Sequence, residues 1–136
     1  MKSDGRILVL EDEPELLEAL VAYLDRKGYE VCAAEDLATA RHHLDQSGVD
    51  LAVIDVGAHG LRLAREAAAL NIPCVLMSGR PVILEMGGLG AVLAKPFKLD
   101  VLGARVAELL RCYRDAPRLG RRESGHPAPA PDDAVA

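Results

Sequence analysis

The chain has no tryptophan, one phenylalanine and three tyrosines among its 136 residues. With so few rings, a core has to be assembled from leucine, valine, isoleucine and alanine. Positive charge is also scarce. Sixteen Lys and Arg against 21 Asp and Glu leave a formal charge of −5, which argues against a general nucleic-acid binder with its basic face. No apolar run approaches the roughly 20 residues that cross a bilayer. In "MKSDGRILVLEDEP" the apolar stretch stops after four residues, so the N-terminus lacks a signal-peptide pattern and the cytoplasm is the expected compartment. Cysteine is limited to Cys32, Cys74 and Cys112, odd in number and widely spaced. That spacing suits neither a disulfide framework nor a C-x-x-C metal site, and buried, reduced thiols are expected.

What the chain does have is alternation. Short apolar runs, "ILVL" (7–10), "VCAA" (31–34), "LAVI" (51–54), "CVLM" (74–77) and "AVLA" (91–94), are separated by segments of helical period. Each run is unbroken, the pattern of a central strand covered on both faces. "PELLEALVAYLDRKG" places Leu16, Leu17, Leu20, Val21 and Leu24 on one stripe, with Pro14 suited to the first turn and Gly28 to a left-handed stop. A second helix is expected over about 37–46, with Asp36 as its N-cap, and a third over about 60–70, ending at Asn71 before Pro73. A last helix over about 99–114 repeats Val101, Leu102, Val106, Leu109, Leu110 and Tyr113 at helical spacing. The fourth connection, "SGRPVILEMGGLG", has room only for a short or irregular helix. Strand and helix repeated five times imply right-handed crossovers and a parallel sheet with helices on both faces. Residues 1–114 are therefore expected to form one α/β domain. Residues 115–136, with four of the eight prolines and no periodic apolar face, are expected to be a disordered tail, too short for an output domain.

In such a sheet, ligands bind beyond the carboxyl ends of the strands, where strand order reverses. The residues that follow the apolar runs form a chemically coherent set: Glu11 and Asp12 after the first, Asp55 after the third, Ser78 after the fourth, Lys95-Pro96 after the fifth. If the first strand lies between the second and third, the three carboxylates meet at one spot. Their mutual repulsion raises pKa values and invites a divalent cation. Mg²⁺ fits best, because it prefers oxygen ligands, takes few from the protein and keeps waters that a phosphate oxygen can replace. Glu11, Asp12, Asp55 and the backbone carbonyl of Gly57 are its expected ligands. Lys95 then serves as a point charge for a second phosphate oxygen and Ser78 as a donor to a third. Asp55 keeps an oxygen free to attack phosphorus. Each residue alone has a blander reading, as a turn residue, helix cap or surface lysine. Their joint placement at one end of the sheet favours the site.

In "VLEDEP", "LAVID", "VLMSG" and "AKPF", taken in this order, the sequence resembles the receiver domain of two-component response regulators over about residues 5–114. The resemblance implies a flavodoxin-like sheet of order 2-1-3-4-5, Asp55 as phosphoacceptor, Mg²⁺ as cofactor and a cis bond at Lys95-Pro96. It also implies a phosphohistidine donor on a sensor histidine kinase or histidine phosphotransfer protein. A module of this kind is not a turnover enzyme; it signals by protein contact to a downstream target. No DNA-binding domain, no membrane association, and a monomer or phosphorylation-dependent dimer are expected. Three departures stand out. Val92 occupies the position of an aromatic that the family usually carries three residues before its lysine. "DVGAHG" is shorter than the usual loop after the acceptor and lacks its proline. The stretch from Ser78 to Lys95 is shortened too. These departures keep a second reading open, a pseudo-receiver that binds partners regardless of phosphorylation. A third, an aspartate-nucleophile phosphatase, would want an acid at position 57, where glycine stands. His42 and His43 read as solvated helix residues. His59 reads first as a loop residue, with an approach to the phosphoryl group as the lesser alternative; for Arg80, contact with phosphate or a partner is the lesser alternative.

Overall fold

The computed structural model describes residues 4–46, 48–80 and 88–115. Its strands are β1 (Arg6–Leu10), β2 (Glu30–Ala34), β3 (Leu51–Asp55), β4 (Cys74–Ser78) and β5 (Ala91–Ala94). All are parallel, in the order β2-β1-β3-β4-β5, so the doubly wound α/β expectation holds. The helices are α1 (Pro14–Arg26), α2 (Leu37–Asp45), α3 (Gly60–Ala69) and α4 (Leu99–Asp115). Among the described residues, no helix is long and apolar enough to cross a membrane.

The unbroken apolar runs become a two-sided core because successive strand residues point to opposite faces. Leu8, Leu10, Ala52, Ile54, Cys74 and Leu76 pack under Ala40 and Leu44 of α2 and Leu63, Ala64 and Ala67 of α3. Their neighbours Ile7, Val9, Leu51, Val53, Val75 and Met77 pack under Leu17, Leu20 and Leu24 of α1 and Leu102, Val106 and Leu110 of α4. The local stops act as expected. Pro14 opens α1, Gly28 follows it at φ +99°, and Asp36 caps α2 by accepting from the Thr39 N–H at 2.8 Å. Asn71 ends α3 in the left-handed region at φ +63°.

Several expectations need correction. Five apolar runs do not make five central strands: β2 and β5 are the sheet's edges, and their alanine-rich residues are largely half-buried or exposed. Helix α4 runs one residue past 114 to Asp115. Of the cysteines only Cys74 is buried; Cys32 is half-buried at the β2 edge and Cys112 lies exposed on α4. His43 is not fully solvated, since its Nε2 lies 3.2 Å from the Ala33 carbonyl. The short or irregular fourth helix and the tail over 116–136 fall on residues outside those described.

Candidate functional site

Parallel pairing brings the carboxyl ends of β1, β3, β4 and β5 to one rim. Glu11 continues the β1 ladder, its N–H donating to the Ala34 carbonyl at 3.0 Å, and is 1% exposed. Asp12, one residue on, is exposed. Asp55 closes β3 opposite Met77 and is 7% exposed. Carboxylate oxygens of Glu11, Asp12 and Asp55 all lie within 4.8 Å of one another.

Among the described residues, Lys95 supplies the counter-charge. Its Nζ donates to Glu11 Oε1 at 2.9 Å and to Asp55 Oδ1 at 3.3 Å, across 84 and 40 residues of chain. The Lys95-Pro96 bond is cis. The Lys95 N–H donates to the Ser78 carbonyl at 2.8 Å, which ties the lysine's backbone to the end of β4. Ser78 is buried, and its Oγ accepts from the Arg80 N–H at 3.0 Å. With that lone pair engaged, the hydroxyl proton is left to donate. Asp55 Oδ1 also accepts from the Gly57 N–H at 3.3 Å, because residues Val56–Ala58 wind into a 3-10 turn directly after β3. Oδ2 takes no hydrogen bond from any described residue.

The two ends of the Lys95–Glu11 pair respond differently to their setting. Burial pushes the Glu11 carboxyl above its ordinary value, and the Asp55 charge adds to this; the bonds from Lys95 and the Glu13 N–H oppose it without cancelling it. For Lys95, burial acts to depress the ammonium, but the bond to Glu11 and the charges of Asp55 and Glu11 outweigh it, so its pKa is raised. The lysine is thus held firmly charged, while Glu11 gains from a further cation nearby. Three carboxylates against one ammonium leave an excess of negative charge, and the donors are all hard oxygens. This donor set fits a small divalent ion.

The sequence-predicted residues therefore converge: Glu11, Asp12, Asp55 and Lys95 form one cluster, with Ser78 joined to it through the Lys95 backbone. Gly57 is the middle residue of the 3-10 turn, beside the Asp55 carboxylate. Other candidates stay peripheral. His59 and Arg80 are exposed, with His59 in the left-handed region at φ +63°. Val92, opposite Leu76 on β5, is half-buried against the α2–α3 side of the core. Two participants escaped the sequence reading. The Glu13 N–H donates to Glu11 Oε2 at 3.1 Å, occupying that buried carboxylate's second oxygen. Gly60 sits against the backbone of Asp55 so closely that a Cβ there would overlap the Asp55 carbonyl oxygen. Chain order gives no sign of either contact.

Comparison with known proteins agrees with this geometry. The family model described as "Response regulator receiver domain" matches residues 7–107. The swarming motility regulation protein RssB of Serratia marcescens is 33% identical over 115 residues, covering 77% of this chain and 52% of RssB. The response regulator GtcR of Aneurinibacillus migulanus is 31% identical over 117 residues, covering 79% of this chain and 48% of GtcR. Among solved structures, the response regulator protein TrrA from Thermotoga maritima, in complex with Mg²⁺ and BeF, superposes with a TM-score of 0.69 at 28% identity. That match covers 77% of this chain and 98% of TrrA. The chain belongs to the response regulator receiver domain family. It spans about half the length of the relatives RssB and GtcR.

Proposed function

We propose that this domain is a phosphoacceptor signalling module that takes a phosphoryl group from a phosphohistidine onto Asp55. One observation carries the reading: a lysine bridging Glu11 and Asp55, beside three carboxylates grouped within 4.8 Å, with the second Asp55 oxygen left open. In the transfer, an Asp55 carboxylate oxygen forms a bond to phosphorus as the phosphorus–nitrogen bond of the donor breaks. The imidazole leaves with that electron pair and takes up a proton. Lys95 and the Ser78 hydroxyl face the charge on the peripheral phosphoryl oxygens, and positioning with charge neutralisation does most of the catalytic work.

Mg²⁺ is the proposed cofactor, held by Asp12, Asp55, the Gly57 carbonyl and Glu11; when bound it supplies charge neutralisation at the phosphoryl oxygens. Because both Glu11 oxygens already accept protein hydrogen bonds, Glu11 contributes charge without giving up its partners. The donor is proposed to be a sensor histidine kinase or a histidine phosphotransfer protein in the cytoplasm. The output is contact with a protein target, by a monomer or a phosphorylation-dependent dimer, and not substrate turnover. Position 57, where a phosphatase of this chemistry would carry its acid, is glycine.

The pseudo-receiver reading is kept by Val92. A valine packed against the core cannot perform the swing of an aromatic ring between buried and exposed positions. Incubation with acetyl phosphate separates the two. With Mg²⁺, intact mass is expected to rise by one phosphoryl group in the wild type, and not in Asp55→Asn or in wild type with EDTA. An unmodified wild type under all conditions favours the pseudo-receiver.

A further inference from the structure

Asp55 is followed by an unusually compressed connection: a 3-10 turn over Val56–Ala58, His59 at φ +63°, and then the first residue of α3, Gly60. Gly60 is fully buried against β3. A Cβ built there would lie 2.5 Å from Ile54 Cγ2 and 2.9 Å from the Asp55 carbonyl carbon, and would overlap the Asp55 carbonyl oxygen. Room to yield is small, because Ile54 is 0% exposed and Asp55 ends a central strand in register with Met77 of β4. Gly60 is not among the positive-φ glycines. Glycine is required here for space and not for backbone conformation, at a site where helix propensity alone would favour alanine. Gly57 differs: a Cβ there would meet the Asp55 carboxylate oxygens at 3.7 and 3.8 Å, ordinary contact distances.

We infer that Gly60 is a positioning residue for Asp55. By letting the first turn of α3 close directly on the Asp55 carbonyl, it sets the peptide from which the carboxylate projects toward Lys95, Glu11 and Asp12. A side chain at position 60 has to push that peptide, and the carboxylate moves with it. A misplacement of about 1 Å can cost on the order of a hundredfold in rate. The inference rests on the phosphoacceptor reading above.

The test compares Gly60→Ala with Gly103→Ala. Gly103 is also a crowded helical glycine, but its Cβ would meet the hydroxyl end of the partly buried Tyr23 side chain of α1 and not Asp55. For each variant the ligand-free melting temperature, the affinity for beryllofluoride with Mg²⁺, and the phosphorylation rate by acetyl phosphate at saturating Mg²⁺ are measured. Gly60→Ala is expected to lower the melting temperature, and the melting temperature of Gly103→Ala records the effect of a crowded helical alanine away from Asp55. Only Gly60→Ala is expected to weaken beryllofluoride binding and slow phosphorylation, each by about tenfold or more. Should Gly60→Ala fail to fold, a single glycine inserted between His59 and Gly60 loosens the same seat without adding bulk, and the same losses are expected. Wild-type affinity and rate in Gly60→Ala or, if that fails to fold, in the insertion variant overturn the inference alone. So does an equal loss in Gly103→Ala. An inert wild type removes the functional reading and the inference with it.

Discussion

Glu11 shows what the site requires of a single residue. It is a nearly inaccessible carboxylate with a raised pKa, carrying a negative charge that Lys95 only partly offsets. The linkage has a definite sign. As pH rises from the ordinary Glu value of 4.5, the unfolded chain releases this proton before the folded one does, so metal-free stability falls until the raised folded value is passed. Glu11→Gln removes that slope. The metal-free melting temperature of the wild type should therefore drop relative to Glu11→Gln as pH rises above 4.5, and Mg²⁺ should restore it. A difference that stays flat with pH contradicts the assignment. The cysteines divide on equally local grounds. Burial pushes the Cys74 thiol up to about 12, whereas Cys112 is exposed. A maleimide or iodoacetamide is expected to label Cys112 in the native protein and to reach Cys74 only after denaturation, as peptide mass mapping would record. Native labelling of Cys74 would mean that the sheet opens there.

At the scale of elements, the sequence was most readable where one residue type has a strong local preference. Pro14, Asp36, Gly28 and Asn71 each bound a helix as their chemistry suggests. Asn71 gives the sharpest check. At φ +63° an L residue with a branched β-carbon is strained, so Asn71→Val should cost about 1–2 kcal/mol while Asn71→Gly is close to neutral. Urea unfolding would measure both, and equal stability of the two variants would contradict the left-handed stop. Edge strands were less readable. "VCAA" and "AVLA" are as apolar as the central runs, and periodicity carries no information on how many neighbours a strand has. Strand order decides that, and strand order depends on the handedness of crossovers summed over the whole chain. The seat of Gly60 on Asp55 was hidden for a related reason: a glycine opening a helix has many local explanations, and only the folded structure puts the Asp55 carbonyl behind it.

For the whole molecule, residues spread over the chain from Glu11 to Lys95 assemble at one rim because a parallel sheet delivers every strand's carboxyl end to the same side. This much of the site was legible from chain order alone, since each chemical residue follows an apolar run. The pairing partners were not. That Lys95 would bond Glu11 at 2.9 Å and Asp55 at 3.3 Å depends on side-chain paths that no spacing encodes. Under the proposed function, the departures that bear on readout are Val92 on β5 and the 3-10 turn directly after Asp55. The chemistry of acceptance and the route of its readout are therefore separable questions in this domain. The first is decided most directly by locating the phosphoryl group itself. After reaction with acetyl phosphate and Mg²⁺, borohydride reduction of the acyl phosphate followed by peptide sequencing should place the reduced residue at position 55. Reduction at any other carboxylate, or none anywhere in a protein that had gained phosphate, would contradict the account.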